Sequence, residues 1–157
     1  MSPKLLKRAA LMAQSAYEPD TALIAAGALK FENKRTSTVA YLLRQAHRQW
    51  LIWRGTDGSI TDWIHNLAII PIRTRGGSWI HGGFYLAHRS VWADIKKELD
   101  PKKPLIVVGH SLGGALAECT VLRLKNAKKE GFKKRFTQID MVAFGKPNLF
   151  FRFQRRK

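Results

Sequence analysis

The stretch KPLIVVGHSLGGALA, residues 103–117, decides the fold that the rest of the chain must complete. Its apolar run at residues 105–108 is short and rich in Ile and Val, which is typical of a fully buried strand. After that run, apolar residues recur at helical spacing, at Leu112, Ala115, Leu116, Cys119 and Leu122. The G-x-S-x-G pattern at residues 109–113 therefore lies between a predicted strand and a predicted helix. This context is typical of a nucleophile elbow.

The residue types in this pattern suit nucleophilic catalysis. A nucleophilic serine must project from a sharp turn at the end of a strand, and this turn would present the hydroxyl of Ser111 above the sheet. Gly109 and Gly113 lack the Cβ atoms that would collide where strand and helix cross. The N–H groups at the start of the helix, with the helix dipole, point to where an oxyanion would form. The competing interpretation is a glycine-rich turn with an incidental serine.

Length and composition indicate one globular domain. The chain has 157 residues, of which 45% are hydrophobic, so it can bury a core. No run approaches the roughly 18 apolar residues of a membrane span, and no secretory signal follows the basic N-terminus. A cytoplasmic location is therefore the default expectation. The single cysteine, Cys119, excludes an internal disulfide and is expected to pack on the buried face of its helix.

The charge balance is unusual. The chain has 28 basic and 11 acidic residues, a net charge of +17. Such a charge attracts anionic surfaces, either nucleic acid or anionic lipid. Because the sequence has none of the usual nucleic-acid module signatures, no specific nucleic-acid partner is expected. A solvated basic surface is the favoured interpretation, and attraction to an anionic lipid surface is the second.

Hydrophobic periodicity predicts strands that alternate with helices in the second half of the chain. Helices are predicted at residues 3–16, 21–29, between Gly83 and Pro101, and at 112–129, with a short amphipathic helix at 61–67. Strands are predicted at residues 36–43, 49–54, 105–108 and 136–145, and residues 31–35 are predicted to be turn-like. This order indicates an α/β fold with a central, mostly parallel sheet flanked by helices.

Four segments follow the order of a known family: WRGT at 53–56 with Asp62, Trp63 and Asn66 beyond it, IHGGF at 80–84, GHSLGG at 109–114 and AFGKP at 143–147. Together they resemble the class 3 (fungal-type) lipases, which are α/β-hydrolases. The resemblance covers residues 9–147, and only the N-terminal portion of the family's catalytic domain. It implies an α/β-hydrolase-type domain at residues 1–147, incomplete at its C-terminus, and a divergent basic-aromatic tail at 148–157.

The resemblance also implies roles for individual residues. Ser111 matches the acylating nucleophile, and Leu112 and Thr56 match the two residues of the oxyanion hole. His81 matches a histidine that is structural rather than catalytic. The family's lid over the acyl groove is matched by the segment that contains Asp62, Trp63, Ile64, Asn66 and Leu67. A core-packed turn of helix explains that segment equally well on pattern alone. The resemblance implies no cofactor and no metal.

The catalytic base that this family needs is missing from the sequence. In α/β-hydrolases the triad runs Ser, then Asp or Glu, then His along the chain. No histidine follows Ser111, and the one aspartate that follows it, Asp140, lies within a predicted strand. His110 adjoins the serine, but adjacent side chains on a tight turn diverge. We therefore expect a protonated, weakly nucleophilic serine, unless a completing polypeptide supplies Asp and His.

The resemblance thus predicts a serine hydrolase of glycerolipid esters that is impaired in this chain. The tail at residues 148–157 departs from the family pattern, as a frameshift or an early stop would produce, and a short membrane anchor is the alternative. Two other hypotheses for the chain stay open. One is a non-catalytic module that binds lipid or an anionic membrane, and the other is a non-functional fragment of a decayed gene.

Overall fold

The computed structural model describes residues 2–18, 21–55, 70–73, 79–125 and 127–149. The helices in these ranges are α1 (Pro3–Ser15), α2 (Thr21–Ala25), α3 (Gly82–Glu98) and α4 (Leu112–Leu124). The strands are β1 (Leu29–Asn33), β2 (Thr38–Arg44), β3 (Gln49–Trp53), β4 (Pro71–Arg73), β5 (Trp79–His81), β6 (Leu105–His110) and β7 (Ile139–Phe144). A short 3-10 helix, Ala127–Glu130, follows α4.

Five of the strands form one mixed sheet in the order β1-β2-β3-β6-β7. The first three pair antiparallel, whereas β3 and β7 flank β6 and run parallel to it. Parallel neighbours need crossover connections, and α3 and α4 lie in the two crossovers that lead into and out of β6. The α/β-hydrolase-type fold is confirmed. Its parallel pairing is confined to β6 and its two neighbours, β3 and β7.

Helices cover both faces of this sheet. On one face, α1 packs through Ala9 and Ala13 against a layer that includes Trp50 and Val108. On the other face, α3 and α4 pack around a second layer that includes Trp53. Because β6 has a strand on each side and helices on both faces, its residues 105–108 are all buried. Burial on both faces explains why this strand is a continuous apolar run rather than an alternating one.

Two regions differ from the sequence predictions. Residues 29–33, assigned to the end of a helix and to a turn, form the edge strand β1. Its order comes from backbone pairing with β2 rather than from burial, so apolar periodicity misses it. The helix predicted to run to residue 129 ends at Leu124, and the 3-10 helix takes over. Gly131, with φ of +92°, ends the 3-10 helix.

The other predicted elements of the described ranges are confirmed within a few residues at their ends. The hairpin between β2 and β3 closes through a bond from the Gln45 amide to the Arg48 carbonyl (2.9 Å). The short strands β4 and β5 form a separate antiparallel pair that the sequence did not predict. The helix predicted at residues 61–67 lies outside the described residues. None of the described helices is both long and apolar enough to cross a membrane.

Candidate active site

Ser111 lies on a strained turn between β6 and α4. Its backbone has φ of 55° and ψ of −127°, and it is the N-cap residue of α4. The only other described non-glycine residue with positive φ is Ser37. The turn is fixed by two backbone bonds, from the Ser111 amide to the Phe144 carbonyl (2.8 Å) and from the Gly114 amide to the Ser111 carbonyl (2.9 Å). This geometry is the strand–turn–helix context that the sequence pattern predicts.

Glycines allow this turn to form. A Cβ on Gly109 would overlap the Gly113 carbonyl, so β6 and the first turn of α4 are in direct backbone contact. A Cβ on Gly113 would overlap the carbonyl oxygen of Trp53 at the end of β3. The two glycines of the motif therefore permit separate close approaches, one within the elbow and one between α4 and the neighbouring strand. The predicted reason for both glycines is confirmed by these contacts.

A backbone N–H donor is available at the start of α4. Leu112 is the first helical residue, so its amide has no acceptor one turn earlier in the helix. Its side chain is 2% exposed, which anchors the helix start in the core. The helix dipole adds partial positive charge at this end. The Leu112 amide is thus free to donate to an oxygen held next to Ser111.

The second predicted oxyanion residue, Thr56, lies outside the described residues. Its neighbour Gly55 is described and packs against the elbow: a Cβ there would lie 2.8 Å from the carbonyl oxygen of His110 and would overlap the Tyr17 hydroxyl. Gly55, which follows β3, therefore lies next to His110 in the elbow. The predicted lid residues also lie outside the described residues; they are Asp62, Trp63, Ile64, Asn66 and Leu67.

His110 is bound by a residue from the N-terminal part of the chain. The Tyr17 hydroxyl lies 3.0 Å from Nδ1 of His110 and 3.4 Å from its carbonyl oxygen. The two rings also meet edge to face, with centroids 5.7 Å apart. Nδ1 of this imidazole is therefore directed toward Tyr17.

His88 belongs to the core. Its Nε2 lies 3.0 Å from the Thr120 hydroxyl, which also accepts a bond from the Trp53 indole (3.0 Å). The same hydroxyl donates to the Leu116 carbonyl (3.2 Å), so we assign the Nε2–H tautomer to His88. Burial, together with the positive charge of Arg123, holds the pKa of His88 well below its usual value. The neutral imidazole therefore serves packing and hydrogen bonding.

His81 ends β5 and is the N-cap residue of α3. Its ring stacks on Phe84, with centroids 4.8 Å apart, and burial lowers its pKa. The structural assignment that the resemblance implies for His81 fits this packing. Among the described residues, no hydrogen bond joins an imidazole to the Ser111 hydroxyl.

Two acidic residues that follow Ser111 in the chain are engaged by other side chains. Asp140 lies inside β7, as predicted, and its Oδ2 accepts a bond from Gln138 (2.6 Å). Glu118 on α4 pairs with Lys146 (2.9 Å), which fixes the loop after β7 against the elbow helix. No cluster of His, Cys, Asp or Glu in the described part of the chain could hold a metal ion.

Sequence reasoning missed one contributor to this region, Tyr17. It lies just beyond the end of α1, and no periodicity or motif distinguishes it. Only the fold shows that α1 packs on the sheet and that its C-terminal end lies next to the elbow.

The fold and the elbow together define an α/β-hydrolase. The sequence profile of the family lipase (class 3) matches residues 50–152, and the chain belongs to this family. Solved structures with the same fold include a lipase from Rhizopus microsporus var. chinensis, with 23% identity and a TM-score of 0.70 over 95% of this chain. A triacylglycerol lipase from Penicillium expansum is 23% identical, with a TM-score of 0.57 over 81% of this chain.

A third similar structure is a fungal lipase bound to an inhibitor, with 20% identity and a TM-score of 0.66 over 95% of this chain. The chain covers 60% of the Rhizopus lipase, 56% of the Penicillium lipase and 64% of the inhibitor-bound lipase. It thus spans less than two thirds of the length of these structures.

Proposed function

We propose that this chain supplies the nucleophile and one oxyanion donor of a lipase-type hydrolase of carboxylic esters in glycerolipids. The observation that carries this proposal is the backbone of Ser111, whose φ of 55° presents the side chain next to the start of α4. Strain of this kind at a non-glycine residue is typical of active sites. Membership of the lipase (class 3) family supports the ester substrate class.

The proposed chemistry uses Ser111 and the helix start directly. The Ser111 oxygen attacks the ester carbonyl carbon and gives its proton to a base. The carbonyl oxygen becomes an oxyanion that accepts a bond from the Leu112 amide and, by the family resemblance, from Thr56. As the bond to the leaving oxygen breaks, the base returns the proton to that oxygen, and an alcohol and an acyl-serine result. Water then hydrolyses the acyl-serine to the acid and frees Ser111.

We further propose that these 157 residues by themselves hydrolyse esters poorly. The imidazole of His110 is bound to Tyr17 and that of His88 is buried against Thr120. Without a base the hydroxyl stays protonated and is a weak nucleophile. A polypeptide that brings Asp and His beside Ser111 would complete the site.

Ester hydrolysis by the unaltered chain and by Ser111→Ala tests this proposal. Triad members act as a unit, so a site without its base keeps only about 10³–10⁴-fold catalysis from the oxyanion hole and binding. With p-nitrophenyl butyrate and tributyrin, we expect similar slow rates for both proteins. A rate that falls about 100-fold in Ser111→Ala would mean that a base in this chain activates the serine.

The charge of +17 favours a second candidate, a non-catalytic module that binds an anionic lipid surface. This candidate predicts that Ser111→Ala leaves vesicle binding unchanged. It also predicts strong binding to vesicles with phosphatidylglycerol and weak binding to pure phosphatidylcholine. Equal binding to both vesicle types would reject it.

A further inference from the structure

A second concave site lies between the start of α1 and the hairpin that joins β2 to β3. A cavity of about 480 Å³ opens there, a size within the range of small-molecule sites, about 300–1,000 Å³. Its polar and charged lining includes Ser2, Lys4, Arg8, His47 and Arg48, and we call these five residues the basic groove. Among the residues that the structure describes, no acidic side chain lines it.

No described carboxylate neutralises the cations of the basic groove. Elsewhere in the described ranges, carboxylates pair with several basic side chains, among them Arg44, Arg123 and Lys146. Lys4, Arg8 and Arg48 have no ion pair within those same ranges. Three full positive charges around one cavity concentrate a positive potential and attract an anion.

The fold holds the Arg8 guanidinium over a fixed ring. Its central carbon lies 5.7 Å from the ring centroid of Trp50, within cation–π distance. Trp50 is fully buried, and its indole donates to the Gln45 side chain (3.2 Å). The hairpin closure by Gln45 fixes the backbone at Arg48. The contact with Trp50 reduces the ordering cost that the Arg8 side chain would otherwise carry on binding.

The basic groove is separate from the proposed ester site. The groove lies beside the N-terminal end of β3, whereas Ser111 follows the C-terminal end of the parallel strand β6. The two sites therefore lie at opposite ends of these strands. α1 begins at the groove, and Tyr17, just beyond its end, contacts His110. A helix of this length, 13 residues, spans about 20 Å.

We propose that the basic groove binds a phosphate-bearing ligand. Arginine presents a planar fork of N–H donors that matches phosphate oxygens, and Lys4 adds a third charge. Three cations match the two or more negative charges of a phosphomonoester or diphosphate better than the single charge of a carboxylate. The N-terminal end of α1 adds partial positive charge on the same side. The phosphate can come from a soluble compound or from a phospholipid headgroup.

Calorimetric titration with inorganic pyrophosphate at physiological salt tests this site. The variant Arg8→Gln with Arg48→Gln should bind at least about tenfold more weakly, because it removes two charged hydrogen-bond donors from the ligand. The matched control is Arg35→Gln with Arg135→Gln, two exposed arginines elsewhere that carry the same charge. The control should change affinity less than about twofold, because salt screens distant charges. Equal weakening in both variants would overturn the proposal.

One further variant and one further binding experiment complete this test. Arg48→Gln alone leaves the contact between Arg8 and Trp50 in place, so it separates loss of a ligand contact from loss of folding. Flotation with phosphatidylglycerol vesicles separates the two sources: a headgroup ligand predicts vesicle binding that pyrophosphate displaces and that the groove variant loses. A soluble ligand predicts pyrophosphate binding that only the groove variant weakens, with vesicle binding equal in all variants. If neither probe distinguishes the groove variant from the control, the site does not exist.

Discussion

The hydroxyl of Tyr17 lies 3.0 Å from Nδ1 of His110, although the two residues are 93 positions apart in the chain. Tyr17 thereby joins the segment after α1 to the residue before the nucleophile. It also packs against Gly55, where any Cβ would overlap its hydroxyl. One side chain therefore contacts both His110 in the elbow and Gly55 after β3.

Removing this hydroxyl is expected to destabilise the chain. Tyr17→Phe should lower the free energy of unfolding by about 0.5–1.5 kcal/mol, because it leaves the His110 imidazole without this partner. Urea denaturation measures the change. Tyr85→Phe is the matched control, since the ring of Tyr85 contacts Arg123 and its hydroxyl has no hydrogen bond among the described residues. Equal losses in the two variants would show that the Tyr17–His110 contact contributes nothing specific.

Gly113→Ala should disrupt the packing of α4 on β3. Its new Cβ would overlap the Trp53 carbonyl, and neither backbone can move without breaking the core. We expect the free energy of unfolding to fall by several kcal/mol, or cooperative unfolding to be absent. Circular dichroism during urea titration measures either result. Gly27→Ala is the control: its Cβ meets open space, and its φ of 84° costs only about 1–2 kcal/mol. A variant at position 113 as stable as the control would contradict the close approach.

Stability should fall as the pH drops below about 6.5, the usual pKa of histidine. Burial lowers the pKa of His88, so the unfolded chain takes up a proton that the native chain does not. Unfolding is therefore favoured at low pH, by up to about 1.4 kcal/mol per pH unit for one group. His81 contributes with the same sign, since burial lowers its pKa too. His88→Gln should flatten the slope of unfolding free energy between pH 5 and 6.5, on a scale of about 1 kcal/mol.

The control for this pH series is His47→Gln, on the exposed β2–β3 hairpin. If His88→Gln and His47→Gln behave alike, the buried imidazole is not the source of the pH dependence.

Cys119 offers a direct measure of folding. Burial raises the pKa of this thiol to about 12, so it is neutral and shielded in the native chain. Iodoacetamide should therefore alkylate it only in molecules that have opened. The labelling rate should rise with urea in step with the circular dichroism signal. Rapid labelling in the absence of urea would show that α4 is not packed as described.

Much of this fold follows from local pattern. The elbow, α1, the hairpin β2–β3 and the strand β6 are predicted because burial on one or both faces leaves a clear apolar period. Apolar pattern does not predict strand β1, because this edge strand is ordered by pairing with β2. It does not predict β4 and β5 either, because each has only three residues.

Some residues of the candidate site are predicted from local sequence, and others are known only from the fold. Ser111 and Leu112 are predicted because the elbow is one continuous piece of chain. The contribution of Tyr17 depends on how α1 crosses the sheet, which no local pattern records. The pairing of Lys146 with Glu118 is likewise a property of the assembled fold, because it joins the loop after β7 to α4.

We have proposed that Ser111 is presented as a nucleophile and that none of the described side chains activates it as a base. Intact mass after incubation with a fluorophosphonate, with and without added imidazole, tests this claim most directly. For protein shown to be folded by protection of Cys119, we expect little adduct without imidazole. Added imidazole, a soluble base, should produce one adduct on the unaltered chain and none on Ser111→Ala. A single rapid adduct on the unaltered chain without imidazole would contradict the account, because it would mean that the chain contains an activating base.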